Sequence, residues 1–345
     1  MYRQSITSKV QFDNENLVLE LIEGTGEILI DRGAKGKVRP WAEHKRGNRT
    51  LSGLYEQARE KELVSISDGR MEDLKECADF VLFDIYEEGR RKLSKANFCR
   101  FRTCPMCCWR KSMKLYSQVS AITDTIVGRD DGTRFIFLTL TVRNVKGEDL
   151  ESELNRLNDG WTYMTAKSRT FAPAKKLKRT LLGYLKAIEI TYNKKQDTYH
   201  PHIHAILEVS PEFFKSKNYL SRGAWASLWA QAIKADYLPS IKVKAVDSNS
   251  KAVAEVAKYP VKMSTVLNIK NKDKATEVLA VIHNAVRGRR LLTFGGDMAK
   301  VKRQLALDDI EDGDLLHVET DNEKELNPIA QILFRFNVGR GVYIC

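Results

Sequence analysis

The chain has 345 residues, of which 43% are hydrophobic and 30% are charged, and this is enough for one large or two modest hydrophobic cores. Its 57 Lys and Arg residues outnumber the 45 Asp and Glu residues and give a net charge of +12, which fits an ordinary basic enzyme but also favours a polyanionic partner, nucleic acid before a membrane surface. The longest strongly apolar stretch, near residues 135–142, is too short to cross a bilayer, which excludes a membrane-spanning protein.

The N-terminal segment, residues 1–70, is polar and begins with MYRQSITSKVQF, which lacks the apolar core of a signal peptide. Within it we interpret residues 36–50, GKVRPWAEHKRGNRT, as a basic loop or arm. We therefore expect a soluble, cytoplasmic protein. In that compartment the six cysteines are expected to be thiols or metal ligands rather than disulfides.

From residue 112 onward, apolar periodicity predicts a mixture of helices and strands. The predicted helices lie at 112–126, 150–168, 222–235, 251–259 and, around a turn at 294–296, 272–308. The predicted strands lie at 134–142, 184–192, 202–209, 241–246 and 331–338. Strands joined by hairpins and mixed with helices imply an α+β fold with a central antiparallel sheet and flanking helices.

Five of the six cysteines lie between residues 71 and 110, and they form the first candidate metal site. Cys104 and Cys107 have the C-x2-C spacing of a metal knuckle, and Cys99 and Cys77 lie upstream. Four thiolates in a tetrahedron bind zinc in a closed, structural site. We therefore predict a structural Zn²⁺ site, with Cys108 as the competing fourth ligand and with buried reduced thiols or a Cys104–Cys107 redox pair as alternatives. Arginines and lysines around the cluster could present charge to phosphates.

Three of the six histidines fall within five residues, in the segment HPHIHAILEV. Histidines two apart on a strand share a face at about 7 Å and can converge on one cation, whereas a triplet spanning about 13 Å cannot. Pro201 disfavours a regular strand at the first pair, which leaves His202 and His204 as the predicted pair. An open catalytic cation would need an oxygen ligand, for which Glu189 is the best candidate, unless it is an edge-strand charge that faces solvent.

The predicted helix KAVAEVAKY, followed by PVK, aligns Glu255, Tyr259 and Lys262 at positions i, i+4 and i+7. A tyrosine beside a lysine could attack a phosphodiester, because the cation stabilises the phenolate and the charge that develops on phosphate. A row of surface residues is the simpler interpretation of this spacing when it is taken alone.

The order of these pieces along the chain resembles one protein family. The segments FLTLTVRNV, HPHIHAILEV and EVAKYPVK, preceded by CRFRTCPMCCWRKS, are similar to the ordered motifs and the cysteine region of the plasmid rolling-circle replication initiators of the HUH endonuclease superfamily, single-tyrosine type. The likeness covers roughly residues 70–300. It implies an antiparallel sheet with the histidine pair on a middle strand and the tyrosine on a helix packed beside it.

The resemblance also implies roles for individual residues. It implies that His202, His204 and Glu189 bind a catalytic Mg²⁺ or Mn²⁺. It implies that Tyr259 is the nucleophile of a DNA nickase and forms a 5′-phosphotyrosine. Two residues nearby match a family acid that ends replication and a family lysine, namely Glu255 and Lys262. His200 gives the motif some likeness to a three-histidine relaxase, and the proline after the tyrosine can kink the helix.

We predict four segments, namely a basic N-terminal arm or subdomain at 1–70, a zinc module with a helix at 71–126, an HUH nuclease domain at 127–308 and a C-terminal extension at 309–345. The resemblance has a further implication for partners. It implies plasmid origin DNA as partner, a double-stranded origin with an extruded single-stranded nick site, together with a host helicase and polymerase and a possible oligomer. The competing functions are a conjugative relaxase, a single-strand transposase and a non-enzymatic zinc protein that binds DNA.

Overall fold

The structure is a computed structural model that describes residues 6–10, 19–33, 36–166, 172–246, 263–318 and 327–345. In these residues two β-sheets are flanked by helices, and antiparallel pairing dominates both sheets. The predicted α+β class with an antiparallel sheet and flanking helices is therefore confirmed. No helix of the described ranges combines the length and apolar character that a membrane span requires.

The helices lie on both sides of the sheets. Their bounds are α1 Trp41–Glu60, α2 Asp68–Glu76, α3 Pro105–Val127, α4 Leu150–Thr165, α5 Ala172–Thr180, α6 Arg222–Ala232, α7 Ser264–Leu267, α8 Lys272–Val286 and α9 Gly296–Gln304. Short 3₁₀ turns occur at Glu87–Gly89, Gly147–Asp149 and Pro211–Phe214.

The strands divide between two sheets, which we call sheet A and sheet B. Sheet A has the order β1-β2-β10-β3-β4, with β11 paired to β10, and sheet B has the order β8-β5-β7-β6-β9. The strands of sheet A are β1 Ile6–Val10, β2 Leu19–Glu23, β3 Phe80–Ile85, β4 Arg91–Ala96, β10 Ala330–Asn337 and β11 Val342–Ile344. Those of sheet B are β5 Arg134–Thr141, β6 Leu181–Asn193, β7 Thr198–Val209, β8 Ile241–Val246 and β9 Leu292–Gly295.

Sheet A joins the two ends of the chain. Strand β10 pairs parallel with β2 and antiparallel with β3. Helix α1 packs on this sheet through Trp41, whose ring lies 6.1 Å from that of Phe83 and 6.5 Å from that of Tyr343. Sheet A therefore combines strands from three of the four predicted segments, namely 1–70, 71–126 and 309–345. The division into four segments stays a prediction.

Sheet B is antiparallel throughout and is covered unequally on its two faces. One face carries Ile136, Leu138 and Leu140 of β5 and belongs to the larger core, which α4, α6 and α8 complete. The opposite face carries Phe135 and Phe137 and belongs to a second core, which α3 and α9 complete. This alternation follows from the period of two along a strand.

All five strands predicted from periodicity are confirmed, with bounds that differ by up to four residues. The helices predicted at 112–126, 150–168 and 222–235 are also present in the described residues, although the first begins earlier and the other two end earlier than predicted. The helix predicted at 251–259 lies outside the described residues.

One prediction of secondary structure was wrong, and another was wrong in part. Residues 36–50 are not a basic loop or arm, because α1 begins at Trp41. Its buried side includes Lys45 and Asn48, and these polar residues conceal the helical stripe in the sequence. The helices predicted over 272–308 are present at Lys272–Val286 and Gly296–Gln304, but the segment between them is more than a turn, because Leu292–Gly295 is a strand that pairs with β6. Helix α9 then starts at Gly296, where a Cβ atom would lie 2.2 Å from a backbone oxygen of β6.

Candidate functional site

The middle of sheet B brings together two histidines and a glutamate. Glu189 on β6 lies directly opposite His202 on β7, and His204 is two residues further along β7. The Nε2 atoms of the two histidines are 3.1 Å apart. One carboxylate oxygen of Glu189 lies 3.1 Å from Nε2 of His204 and 3.6 Å from Nε2 of His202. Glu189 is 2% exposed and each histidine 9%. These three residues can hold a metal ion.

The hydrogen bonds of the imidazole rings support metal binding. His202 Nδ1 lies 3.2 Å from the carbonyl oxygen of His200, and since a carbonyl only accepts, Nδ1 carries the proton and Nε2 the lone pair. His204 Nδ1 lies 3.2 Å from the Thr139 hydroxyl, which can accept in the same way. Two lone pairs and a carboxylate then face one another, an arrangement that can accommodate a cation. Ligand atoms bound to one ion at about 2.1 Å and at right angles are about 3.0 Å apart, close to the distances observed.

His200 does not belong to this group, although it lies on the same strand. Its ring stacks on that of His202 at 5.1 Å, and its Nδ1 lies 2.9 Å from Asn144 Oδ1. Partial burial and the neighbouring His202 lower the pKa of His200. The structure therefore brings together the predicted pair and leaves the third histidine beside it.

The argument that Pro201 disrupts the strand was wrong. Strand β7 passes through Pro201, which pairs with Ile190. The N–H and C=O of Tyr199 both bond to Val145, which follows β5 in the chain. Backbone groups two residues apart on a strand point to the same side, so the nitrogen of Pro201 also faces the β5 side. On that side the regular pairing with β5 ends at His202. The missing donor of proline therefore costs no ladder hydrogen bond.

The edge strand β8 adds positive charge beside the histidines. Lys242 lies opposite Thr139, and Lys244 lies opposite Phe137, whose ring stacks on His204 at 5.5 Å. Directly paired residues of antiparallel strands share a face, so both lysines lie on the face that carries the metal ligands. Both are exposed. This rim can attract a phosphate backbone.

Three predicted residues of this site, Glu255, Tyr259 and Lys262, lie outside the described residues. Another tyrosine, Tyr237, lies inside them, near the end of β5. Its hydroxyl accepts a hydrogen bond of 3.0 Å from the backbone N–H of Arg143, and the Arg143 guanidinium lies 3.9 Å from the centre of its ring.

The second group consists of four buried cysteines. Cys77 follows α2, Cys99 follows β4, Cys104 precedes α3, and Cys107 is in its first turn. Sulfur–sulfur distances are 3.6 Å for Cys77–Cys107 and Cys77–Cys104, and 3.7 Å for Cys99–Cys107. Four sulfurs bound tetrahedrally at about 2.3 Å would be about 3.8 Å apart. The spacing therefore fits one metal ion.

N–H groups point at three of these sulfur atoms. The backbone N–H of Cys99 donates to Cys77 at 3.4 Å, and that of Arg100 donates to Cys107 at 3.2 Å. The Asn48 side chain donates to Cys104 at 3.4 Å. Such donors stabilise thiolates, while burial raises the pKa of the Cys77 thiol. A cation bound by the four sulfur atoms would offset the cost of burying thiolates.

Cys108 takes no part in the cluster, since its sulfur donates to the carbonyl of Arg102 at 3.1 Å. Two basic residues near the cysteines, Arg110 and Lys111, are buried, whereas Arg100 is exposed. Arg110 donates to the carbonyls of residues 315 and 316, and Lys111 binds Glu311 at 2.8 Å. The proposal that these two residues present charge to phosphates is therefore corrected, because the acidic segment after α9 binds them.

Sequence reasoning missed the residues that hydrogen-bond to the cysteine and histidine side chains. Asn48 was hidden in the segment interpreted as a loop, and Asn144 lies outside any strand. Thr139 alone had a signal, because its alternation with Ile136, Leu138 and Leu140 places it on the opposite face of β5, where it pairs with His204.

An α+β fold with a buried four-cysteine group and a histidine–carboxylate group beside exposed lysines defines a protein with two candidate metal centres. The family described as "Replication protein" matches residues 90–344. The chain belongs to this family, which confirms its resemblance to the plasmid rolling-circle replication initiators.

Individual relatives match along almost the whole chain. A "Protein rep" of Streptococcus pneumoniae serotype 2 is 33% identical over 331 residues, which cover 94% of this chain and 98% of the relative. Proteins of the same name are 34% identical in Bacillus amyloliquefaciens, over 93% of this chain and 98% of the relative, and 36% identical in Lactiplantibacillus plantarum, over 88% and 94%. No solved structure matches the chain.

Proposed function

We propose that this replication protein is a metal-dependent, site-specific DNA nickase and strand transferase that initiates and terminates rolling-circle replication of a plasmid. The observation that carries the proposal is the convergence of Glu189, His202 and His204 within 4.8 Å on one face of sheet B. The exposed Lys242 and Lys244 on the same face support a nucleic acid as the substrate.

A divalent cation held by His202, His204 and Glu189 would supply Lewis-acid charge to the scissile phosphate. Carboxylate oxygen suits Mg²⁺ and Mn²⁺, whereas imidazole nitrogen suits transition metals, so the mixed donor set favours Mn²⁺ over Mg²⁺. The hydrogen bonds at the Nδ1 atoms hold the two rings with their Nε2 atoms directed at each other. The protein therefore fixes the orientation of the ligands before the substrate arrives.

In this proposal Tyr259 is the nucleophile. Its phenolic oxygen loses a proton and forms a bond to phosphorus, while the bond from phosphorus to the 3′ oxygen breaks and that oxygen gains a proton. The products are a 5′-phosphotyrosine and a free 3′-OH, which a host polymerase can extend once a host helicase opens the duplex. The ester bond conserves the energy of the phosphodiester, so the strand can later be rejoined.

Two further residues have proposed roles near Tyr259. Glu255 would accept a proton from water in the second cleavage, which ends the cycle when the tyrosine is already bonded to DNA. Lys262 would stabilise the phenolate and the charge on phosphate. The four cysteines Cys77, Cys99, Cys104 and Cys107 would hold a structural Zn²⁺ that orders the start of α3.

The test uses a labelled supercoiled plasmid that carries the origin, with and without Mn²⁺. Nicking with a covalent protein–DNA adduct in Mn²⁺, but not after chelation, would support the proposal. His202→Ala should abolish both, and His317→Ala is the matched control, because that histidine is on the surface and bonds to Asp314. DNA binding without cleavage by the unsubstituted chain would contradict the proposal in favour of a non-enzymatic zinc protein.

A further inference from the structure

A polar cavity opens beside the histidine–glutamate group at the β6–β7 hairpin. Its volume is about 530 Å³, within the size range of pockets that bind small molecules. The lining residues are Asn144, Thr191, Tyr192, Asn193, Lys194, Lys195 and His200. This cavity lies outside the metal ligands and has no role in the steps above.

The cavity lies one residue pair along the strands from the metal ligands. Glu189 pairs with His202, and the next pair on the same face is Thr191 with His200. Two residues of a strand span about 7 Å. A single strand of DNA with its scissile phosphate at the metal ligands would therefore place an adjacent nucleotide at this cavity.

A chain of side-chain hydrogen bonds orients His200. The Asn144 Nδ2 atom lies 3.1 Å from Thr198 Oγ1 and 3.4 Å from Gln196 Oε1, which orients its oxygen toward His200. That oxygen lies 2.9 Å from His200 Nδ1 and accepts its proton. The lone pair is then on Nε2, which has no hydrogen-bond partner in the described part of the chain. His200 therefore presents an acceptor.

The cavity also has a cation that is not neutralised. Lys195 is exposed and makes no ion pair with any described residue. Its neighbour Lys194 donates to the carbonyl of Asn268 at 2.6 Å, and the Asn193 side-chain oxygen accepts from the backbone of Lys195. Lys195 is thus the group available for a phosphate, while His200 is the group available for a base.

We propose that this cavity is a nucleotide subsite, in which His200 accepts a hydrogen bond from the base next to the scissile phosphate and Lys195 contacts the phosphate of that nucleotide. The proposal rests on the nicking function. It makes His200 a specificity residue that contacts the substrate and is not a metal ligand. An unpaired base with an N–H donor on its exposed edge is the chemical group that the subsite takes.

The experiment uses single-stranded oligonucleotides that contain the nick site mapped on the plasmid. An abasic residue is placed in turn on each side of the scissile phosphate, and both binding and Mn²⁺-dependent cleavage are measured. For the unsubstituted protein we expect one abasic position to raise KM about tenfold, as the loss of one base contact does. For His200→Ala the same position should change KM less than about twofold, because the contact is already lost.

Variants separate the roles of the two residues. His200→Gln places an amide oxygen near the position of Nε2 and should restore part of the base dependence, whereas His200→Asn should not. Lys195→Ala should raise KM for every oligonucleotide to a similar extent. Lys178→Ala is the control for loss of one charge, since that residue is an exposed lysine of α5.

Titration with Mn²⁺ alone distinguishes a substrate contact from a metal ligand. Unchanged Mn²⁺ affinity in His200→Ala supports the subsite, whereas loss of Mn²⁺ binding would overturn it. Equal effects of the abasic residue in the unsubstituted protein and in His200→Ala would also overturn it. Absence of all cleavage would instead refute the nicking function, and oligonucleotide binding would still report on the subsite.

Discussion

Substitution of Cys77 by serine tests the zinc site, because this residue supplies the ligand most distant in sequence from the others. The sulfur of Cys77 lies 3.6 Å from those of Cys104 and Cys107, so its removal opens the tetrahedron. Zinc binding contributes on the order of 10 kcal/mol in small zinc modules, which is comparable to the entire unfolding free energy of a domain. We expect Cys77→Ser to lower the unfolding free energy by about 4 kcal/mol or more. The Tm should fall by about 10 °C.

The assay combines metal analysis with thermal unfolding. We expect one zinc per unsubstituted chain and less than one in Cys77→Ser. Cys108→Ser is the matched control, because its hydroxyl can keep the hydrogen bond to the carbonyl of Arg102 and the residue lies outside the cluster. Full zinc content and unchanged unfolding in Cys77→Ser, or zinc loss in Cys108→Ser, would refute the assignment.

Four other substitutions probe the remaining roles. His202→Ala and His204→Ala should each lower Mn²⁺ affinity by tenfold or more in a calorimetric titration, and tight binding in either would remove that ligand. Glu255→Ala should still nick but should release long multimeric strands in a replication extract, and normal monomeric circles would leave this glutamate without a role. Lys186 is buried, which lowers its pKa to about 8, so the unfolded chain binds more protons between pH 8 and 10.5. The unfolding free energy should therefore rise over this range by up to about 3 kcal/mol, a rise that Lys186→Met should lack in denaturant titrations.

The strands of sheet B could be predicted because their apolar residues alternate. Residues 241–246 were predicted with the observed bounds, and β5 and β7 follow the same pattern. The predicted metal ligands could be named because histidines two apart on a strand, together with the carboxylate opposite, are a local pattern once the hairpin is recognised. Their convergence in space followed from the cross-strand pair of Glu189 and His202.

Other parts of the fold depend on contacts that the sequence does not display locally. Helix α1 was missed because two polar residues, Lys45 and Asn48, lie on its buried side. The Lys45 ammonium donates to the carbonyls of residues 75 and 77, and the Asn48 side chain donates to a cysteine sulfur. Strand β9 was missed because it has four residues and gains its stability from pairing with β6. The pairing of β10 with β2 joins residues some 300 positions apart, and periodicity carries no information about such partners.

Mapping of the covalent adduct tests the central claim most directly. The protein is incubated with supercoiled origin plasmid and Mn²⁺, the DNA is digested, and the modified peptide is identified by mass spectrometry alongside the Tyr259→Phe variant. We predict a nucleotide bonded to Tyr259 and no adduct in the variant, with DNA binding retained. An adduct on another residue such as Tyr237, or nicking that leaves a free 5′-phosphate and no adduct, would contradict the account.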